Sequence, residues 1–147
     1  MSGIRSVHHA GIVVRDMNRS LPFYRDLLGL KVWADYKDES DYVCKVTDVP
    51  GARLWIVKLQ SPGGGMVELL QYLSHPQEAP PPSRSCDVGC NHIALEVEDI
   101  DALYEKLVAG GIRFHSPPLL SSNGTAKVTY CRDPEGVIVE LMQFLSS

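Results

Sequence analysis

The sequence predicts an α+β fold made of two similar halves, each with a strand, a helix and then several strands. An internal repeat carries this prediction, because VELLQYL at 67–73 matches VELMQFL at 139–145 with five of the seven positions identical. A second observation agrees: His9 and His92 are each followed seven residues later by an aspartate and then by a helical stretch. A repeat of this kind predicts that equivalent residues occupy equivalent positions in two modules.

The composition excludes several classes of protein. The 147 residues suit one domain or two fused small modules, and 44% hydrophobic with 22% charged residues is ordinary globular composition. No apolar run approaches the roughly 18 residues of a membrane helix, and the first residues show no signal peptide. A net charge of -4 gives no nucleic-acid footprint. Without a Cys-x-x-Cys pair, the four cysteines are expected to be reduced thiols of a cytoplasmic protein.

The first half is predicted from alternation and from helix boundaries. Residues 6–14 alternate as a strand, with His9 on the face opposite Ile12. Asp16 is a suitable N-cap and Gly29 a suitable C′ residue for a helix at 17–28. Proline is unfavourable inside a helix, so Pro22 suggests that the regular part begins near Ser20. Further strands are expected near 30–36, 41–48, 53–59 and 66–73, with a hairpin loop at 63–65.

The second half is predicted in the same way. A strand at 91–98 and a helix at 99–109 are followed by strands near 112–115, 126–132 and 137–145. Asp133-Pro134-Glu135-Gly136 has the residues of a type I turn, which would fix the register of the last strand. The chain is expected to be a single domain over 1–147, with module 1 at about 5–73, a proline-containing linker at 74–88 and module 2 at about 89–145.

Four residues stand out as metal ligands: His9, Glu68, His92 and Glu140. Each glutamate lies in a strand that is apolar on both faces, where a carboxylate must find a cation, donors or a proton. Each histidine lies on the strand face opposite the one expected to pack on the helix. Any one of the four, taken alone, is more often structural. His8 competes with His9, but it has the wrong parity, and Asn91 fills its position in the second half.

The pairing strengthens the metal hypothesis. If the two modules pack about a pseudo-twofold axis, the two histidines and two glutamates converge on one point. Two carboxylates cancel the charge of a divalent cation, and an N/O ligand set suits Mn, Fe, Co, Ni, Zn or Mg. Four protein ligands in an octahedral shell leave two positions for water or substrate, as a Lewis-acid catalyst requires.

These residues occur in recognisable segments, and the sequence resembles the vicinal oxygen chelate superfamily. That superfamily groups glyoxalase I, methylmalonyl-CoA epimerase, extradiol dioxygenases and fosfomycin or bleomycin resistance proteins. The resemblance covers about residues 5–145 and implies two βαβββ modules paired into a curved mixed sheet around a metal-containing cavity. It also places the four ligands of the family at His9, Glu68, His92 and Glu140. The matching segments are HAGIVVRD at 9–16, FYRDLLGL at 23–30, ELLQ at 68–71, HIALEVED at 92–99 and DPEG at 133–136.

Among the chemistries of that family, a full set of four ligands favours a metal-dependent isomerase or lyase of the glyoxalase or epimerase type. The resemblance implies that the metal polarises a carbonyl and holds the enolate formed when a carboxylate removes the adjacent proton. Glu140 is the expected base and Glu68 a second acid or base. An Fe(II) extradiol dioxygenase, which typically uses two histidines and one glutamate, is the first alternative. A non-catalytic drug-binding resistance protein is the second.

The substrate is expected to be a small carbonyl compound or thioester, and the protein a homodimer without nucleic-acid or membrane partners. The sequence leaves open whether the metal site lies within one chain or across a dimer. Other side chains that could line a pocket are more often structural or exposed, as His75 and His115 are also expected to be. These pocket candidates are Tyr42, Arg53, Trp55, Asn123, Lys127, Tyr130 and Arg132.

Overall fold

The computed structural model describes residues 3–145 and divides between Ala79 and Pro80 into two units. Unit 1 is the part before this point and unit 2 the part after it. The division lies inside the segment expected to link the two modules. Met1 and Ser2, which belong to the segment tested for a signal peptide, lie outside the described residues. No helix within 3–145 is long and apolar enough to cross a membrane.

Unit 1 contains a four-stranded mixed sheet in the order β1-β4-β3-β2. The first strand pairs with the last in parallel, and the other pairs are antiparallel. The helix that follows β1 continues directly into a π-helical segment. The elements are β1 (Ala10–Val13), α1 (Met17–Pro22), the π-helical segment (Phe23–Leu27), β2 (Lys31–Asp38), α2 (Asp41–Thr47), β3 (Leu54–Gln60) and β4 (Met66–Tyr72).

Unit 2 repeats this arrangement with a four-stranded sheet in the order β5-β8-β7-β6 and a parallel pair of first and last strands. The α+β class is therefore confirmed, with a strand, a helix and three further strands in each unit. The elements are β5 (His92–Glu96), α3 (Ile100–Ala109), β6 (Leu119–Leu120), β7 (Ala126–Arg132) and β8 (Ile138–Phe144).

Helix α1 begins where the N-cap predicts, because the Asp16 carboxylate accepts the N–H of Asn18 at 3.0 Å. The expected start near Ser20 is wrong: the first turn at Met17 is already regular. Pro22 is accommodated because the helix widens after it, and the Leu28 N–H binds the Phe23 carbonyl five residues back. Gly29 then adopts φ 77°, the left-handed conformation expected of a C′ glycine.

The strand expected at 41–48 is wrong, because this segment forms α2. The Ser40 hydroxyl caps its first turn by accepting the N–H of Val43, and Asp48 ends it in a left-handed conformation. Val43 packs in a buried cluster with Leu54 and Ile56. Tertiary burial and capping thus override the β propensity of a segment rich in β-branched side chains. This helix accounts for part of the greater length of the first half.

Two other strand predictions need correction. Residues 112–115 form no strand and make only a single bridge, Phe114 to Cys131, while the short strand β6 lies further on. The first strand is four residues long rather than the expected 6–14, so His9 immediately precedes β1. His92, by contrast, is the first residue of β5.

One face of each sheet packs on the helix that follows the first strand, α1 in unit 1 and α3 in unit 2, whereas α2 packs on the other face of the sheet in unit 1. In unit 1, Ile12, Val14 and Leu69 are buried on the side of Met17 and Phe23. In unit 2, Val139 and Leu141 are buried on the side of α3, whose Ile100 and Leu107 are fully buried. The opposite face of each sheet carries the predicted ligands. The alternation predicted for the first strand is therefore confirmed, since Val13 is 57% exposed between two buried neighbours.

The turn at 133–136 sets the start of β8. The Gly136 N–H binds the Asp133 carbonyl at 3.0 Å, as the predicted turn requires. The Asp133 carboxylate is buried and accepts the N–H groups of Glu135 and Val137, both at 2.8 Å. These bonds fix the chain three residues before Glu140. The glycine-rich segment 63–65 is a hairpin loop between β3 and β4, also as predicted.

Replacing Asp133 with alanine is expected to lower the free energy of unfolding by about 2 kcal/mol, because two part-buried N–H groups lose their acceptor. Urea unfolding monitored by circular dichroism measures this change. The matched control is Glu78→Ala in the exposed linker, which is expected to change stability by less than about 0.5 kcal/mol. Equal stabilities of the two variants would contradict this account of the turn.

Candidate metal centre

His9 and Glu68 come together in unit 1 through the parallel pairing of β1 with β4. The ladder sets Glu68 beside Gly11, two residues after His9. The Nε2 atom of His9 lies 3.5 Å from Oε1 of Glu68. The Glu68 side chain is only 12% exposed, as the apolar strand around it predicts. Two residues 59 positions apart in the sequence are thus adjacent in the fold.

His92 and Glu140 form the equivalent pair in unit 2. Here the ladder sets Glu140 beside Ala94, again two residues after the histidine. The His92 Nε2 atom lies 3.0 Å from Oε2 of Glu140, whose side chain is 13% exposed. The offset between histidine and glutamate is the same in both parallel ladders. The internal repeat therefore extends to the register of the two candidate ligand pairs.

The residue directly across the antiparallel ladder from each glutamate differs between the units. Lys58 of β3 lies opposite Glu68, and its Nζ is 3.2 Å from Oε2. Tyr130 of β7 lies opposite Glu140, and the two side chains interact. Glu68 thus has a cation as its partner, whereas Glu140 has a neutral hydroxyl. From the sequence, Tyr130 is only a candidate for lining a pocket, and nothing distinguishes Lys58.

The pKa values of Lys58 and Tyr130 are both raised in these surroundings. The hydrogen bond with Glu68 raises the pKa of Lys58 above its ordinary value, so the ammonium is charged at neutral pH. Burial raises the pKa of Tyr130, and the charge of Glu140 adds to the effect, so the phenol stays protonated. The Tyr130 ring lies 5.3 Å from the His92 ring and 6.0 Å from the His115 ring, measured between centroids.

The donor atoms of the two pairs fit a divalent cation. Each pair offers an imidazole nitrogen and a carboxylate oxygen facing each other, and such hard N/O donors suit first-row divalent ions. On His9, the other ring nitrogen faces Nδ1 of His8 at 2.8 Å, and a contact at that nitrogen can orient the ring of a ligating histidine. Within residues 3–145, no three His, Cys, Asp or Glu side chains are close enough together to hold a metal. Each unit therefore contributes a pair of candidate ligands.

The remaining histidines lie away from these pairs or lack a carboxylate. His8 contacts the ring of His9, while Nδ1 of His75 lies 2.8 Å from the Ser74 hydroxyl. His115 is exposed, with its backbone N–H bound to the Tyr130 carbonyl. The prediction that His75 and His115 are exposed is confirmed.

Most other pocket candidates make structural contacts. Trp55 donates to Asp35 at 2.7 Å, and Arg132 donates to the carbonyls of Ser83 and Gly136, both at 2.7 Å. Lys127 forms an ion pair with Asp101. Tyr42 is exposed on α2, Arg53 is exposed, and Asn123 holds the turn between β6 and β7. Tyr130 alone in this set contacts a candidate ligand, and only its place across from Glu140 distinguishes it.

The comparisons with known proteins place this chain in a family. The model of the Glyoxalase/Bleomycin resistance protein/Dioxygenase superfamily matches residues 6–141, so the chain belongs to that superfamily. Relatives include YaeR of Escherichia coli (strain K12), 27% identical over 97% of this chain and 99% of its own length. A 2-epi-5-epi-valiolone epimerase of Actinomyces sp is 27% identical over 95% of this chain and 80% of its own. A probable lactoylglutathione lyase of Synechocystis sp. (strain ATCC 27184 / PCC 6803 / Kazusa) is 26% identical over 92% of both chains.

A solved structure shares the fold. The glyoxalase family protein APC24694 from Bacillus cereus superposes with a TM-score of 0.89 over 99% of this chain and 97% of its own, at 22% sequence identity. At this identity the likeness shows the fold alone. The match of the family model to residues 6–141 confirms the resemblance seen in the sequence at the level of the superfamily.

The four cysteines are free thiols, as expected, and only Cys131 is fully buried. Burial, aided by the nearby charge of Asp133, raises the pKa of the Cys131 thiol to about 12. At pH 8, about one molecule in ten thousand would carry the reactive thiolate at this position. Burial also shields the Cys131 sulfur from reagents. Cys86 is exposed.

We expect the native protein to react rapidly with a chromogenic disulfide reagent at Cys86 and to react at Cys131 only on unfolding. Thiol titration at pH 8, with and without denaturant, measures both. A Cys86→Ser variant should lose the rapid phase, whereas Cys131→Ala should lose only thiol that appears in denaturant. Loss of the rapid phase in Cys131→Ala would contradict the burial of this residue.

Proposed function

We propose that the protein is a divalent-metal-dependent isomerase or lyase of the glyoxalase I or epimerase type. His9, Glu68, His92 and Glu140 would hold one ion, with Ni, Co, Zn, Mn, Fe and Mg as the candidates. The observation that carries the proposal is the duplicated histidine–glutamate pair, set at the same ladder offset in both units. A buried carboxylate facing an imidazole nitrogen is a poor structural pair at neutral pH but a suitable half of a metal site.

When bound, the ion would supply Lewis-acid polarisation of a substrate carbonyl. Glu140 would accept the proton from the carbon beside that carbonyl, while His92 faces the same carboxylate. Tyr130 would orient Glu140 without neutralising it, because a protonated phenol contributes a hydrogen bond and no charge. Glu68 would serve as the second acid or base. Its ion pair with Lys58 makes it the more strongly stabilised of the two carboxylates, which favours Glu140 as the base.

The relatives support this class of reaction. Both the epimerase and the probable lactoylglutathione lyase align with more than nine-tenths of this chain.

The substrate would be a small carbonyl compound or thioester. We propose that the protein is a homodimer and that the two pairs join in one site, either within one chain or across the dimer. Four free thiols suit the reducing cytoplasm that we propose as its location.

A specific observation favours a second candidate, the Fe(II) extradiol dioxygenase. Lys58 already satisfies the charge of Glu68, so Glu68 has a structural explanation that needs no metal. The remaining His9, His92 and Glu140 would then be the two-histidine, one-carboxylate set of non-haem iron oxygenases. The isomerase or lyase remains our first proposal, because the ion pair with Lys58 uses only Oε2 of Glu68. The other oxygen, Oε1, faces His9 and stays available as a fourth metal ligand.

Metal titration of the purified protein is expected to give about one divalent ion per chain. Replacing Glu68 with alanine should weaken the affinity at least tenfold, since one of four donors is removed and loss of a residue that only orients a ligand typically costs about 10–100-fold. Elemental analysis and calorimetric titration measure both. Glu39→Ala, which changes an exposed loop carboxylate, is the matched control and should leave the affinity unchanged.

The outcome of that titration separates the candidate functions. Unchanged iron affinity in Glu68→Ala, together with oxygen uptake on addition of catechols, would make the dioxygenase the leading candidate. Absence of binding by the parent protein with any of the ions would refute the metal proposal and favour a binding protein such as the drug-resistance members of the superfamily.

A Glu140→Gln variant is expected to retain the metal through its amide oxygen and to lose proton transfer by at least about 100-fold. Deuterium exchange at the carbon beside the carbonyl, with 2-oxoaldehyde thiol adducts and acyl-CoA epimers as substrates, measures the transfer by NMR. Glu39→Gln is the control. Full exchange by Glu140→Gln would eliminate Glu140 as the base.

A further inference from the structure

The two units place different residues at one equivalent position of their ladders. Glu68 faces Lys58 across β3 and β4, and Glu140 faces Tyr130 across β7 and β8. Because the scaffold and the histidine–glutamate pairs are otherwise equivalent, this exchange changes the charge beside the carboxylate and leaves the framework unchanged. The positive charge is thus specific to unit 1.

Lys58 lies on a sheet face of low polarity and is not a solvated surface lysine. Its side chain is 20% exposed, and Ile56, two residues along the same face, belongs to the apolar cluster under α2. Charge interactions in such surroundings are screened less than those between exposed groups. An ammonium held there influences what binds beside it.

The charges of the site do not balance when Lys58 is included. Glu68 and Glu140 together cancel a divalent ion, and neutral His9 and His92 add nothing. The Lys58 ammonium, 3.2 Å from Oε2 of Glu68, then leaves an excess of one positive charge. This excess suits a ligand that brings a negatively charged oxygen, and a neutral ligand would leave it uncompensated.

The contacts of Glu68 also show that Lys58 can act on a ligand. One oxygen of the carboxylate faces His9 and the other faces Lys58, so the ammonium stays beside the site while Oε1 is engaged. An ammonium carries three donors, and one bond to Glu68 does not exhaust them.

We propose that Lys58 is a specificity-determining residue whose ammonium binds a carboxylate of the ligand, so that the protein prefers a carbonyl or hydroxy compound bearing a carboxylate over its neutral analogue. This inference rests on the proposed metal site. It goes beyond that site because nothing in the four-ligand set requires an anionic substrate. The equivalent position in unit 2, Tyr130, offers no such charge.

Calorimetric titration of the Ni²⁺-loaded protein with glycolate and with glycolamide tests the proposal. Any metal centre favours the carboxylate to some extent, so the informative quantity is the ratio of the two affinities compared between variants. We expect Lys58→Met to lower this ratio by about tenfold and Lys58→Arg to keep it within about threefold of the parent. Lys45→Met, which removes an exposed lysine of α2, is the control and should leave the ratio unchanged.

Lys58→Gln guards against a fold defect in Lys58→Met, since it keeps a hydrogen-bond donor for Glu68 without the charge, and it should lower the ratio equally. An unchanged ratio in a folded, Ni²⁺-loaded Lys58→Met or Lys58→Gln protein would overturn the role of Lys58 and leave the metal site standing. Failure of the parent protein to bind Ni²⁺ or any other divalent ion would overturn the proposed function, and this proposal with it.

Discussion

Parallel pairing between the first and last strands of each unit is the constraint on which the candidate site depends. It joins His9 to Glu68 and His92 to Glu140, pairs that are far apart in the sequence. Because side chains alternate along a strand, a slip of one residue in either ladder would turn the glutamate to the helix-covered face. The helices make such a slip costly, since they bury the residues on either side of each glutamate. Packing on one face of the sheet therefore fixes the chemistry on the other.

The same ladders explain how two largely buried carboxylates are tolerated. Water is mostly excluded from Glu68 and Glu140, which are 12% and 13% exposed, so each must interact with a neighbouring group. The antiparallel partner strand provides that group at the directly opposite position, Lys58 in one unit and Tyr130 in the other. Each glutamate thus has a histidine on the parallel side and a second polar partner on the antiparallel side. This arrangement keeps the carboxylate oriented when no other ligand is present.

The sequence predicted the repeated framework better than the parts that distinguish the two units. Alternation, the Asp16 cap and the turn at Asp133 are local signals, and the corresponding elements are present. Helix α2 was mistaken for a strand because its β-branched residues favour one, whereas burial of Val43 against β3 depends on contacts that only the fold creates. Lys58 was overlooked for a related reason. Its significance depends on which residue of β4 lies opposite, and that register is not visible in either strand alone.

The two units differ at positions where a change of side chain leaves the strand pairing intact. Positions that set the ladders are kept, since changing them would move the histidine–glutamate pair, whereas positions opposite the pair can change without disturbing the backbone. Lys58 and Tyr130 both satisfy a carboxylate, but only the lysine alters the net charge next to it. Helix α2 adds an apolar cluster at the start of β3 in unit 1, where Ile56 lies two residues before Lys58 on the same sheet face. A duplicated scaffold can in this way hold two similar ligand pairs and still place a charged residue beside one carboxylate and a neutral residue beside the other.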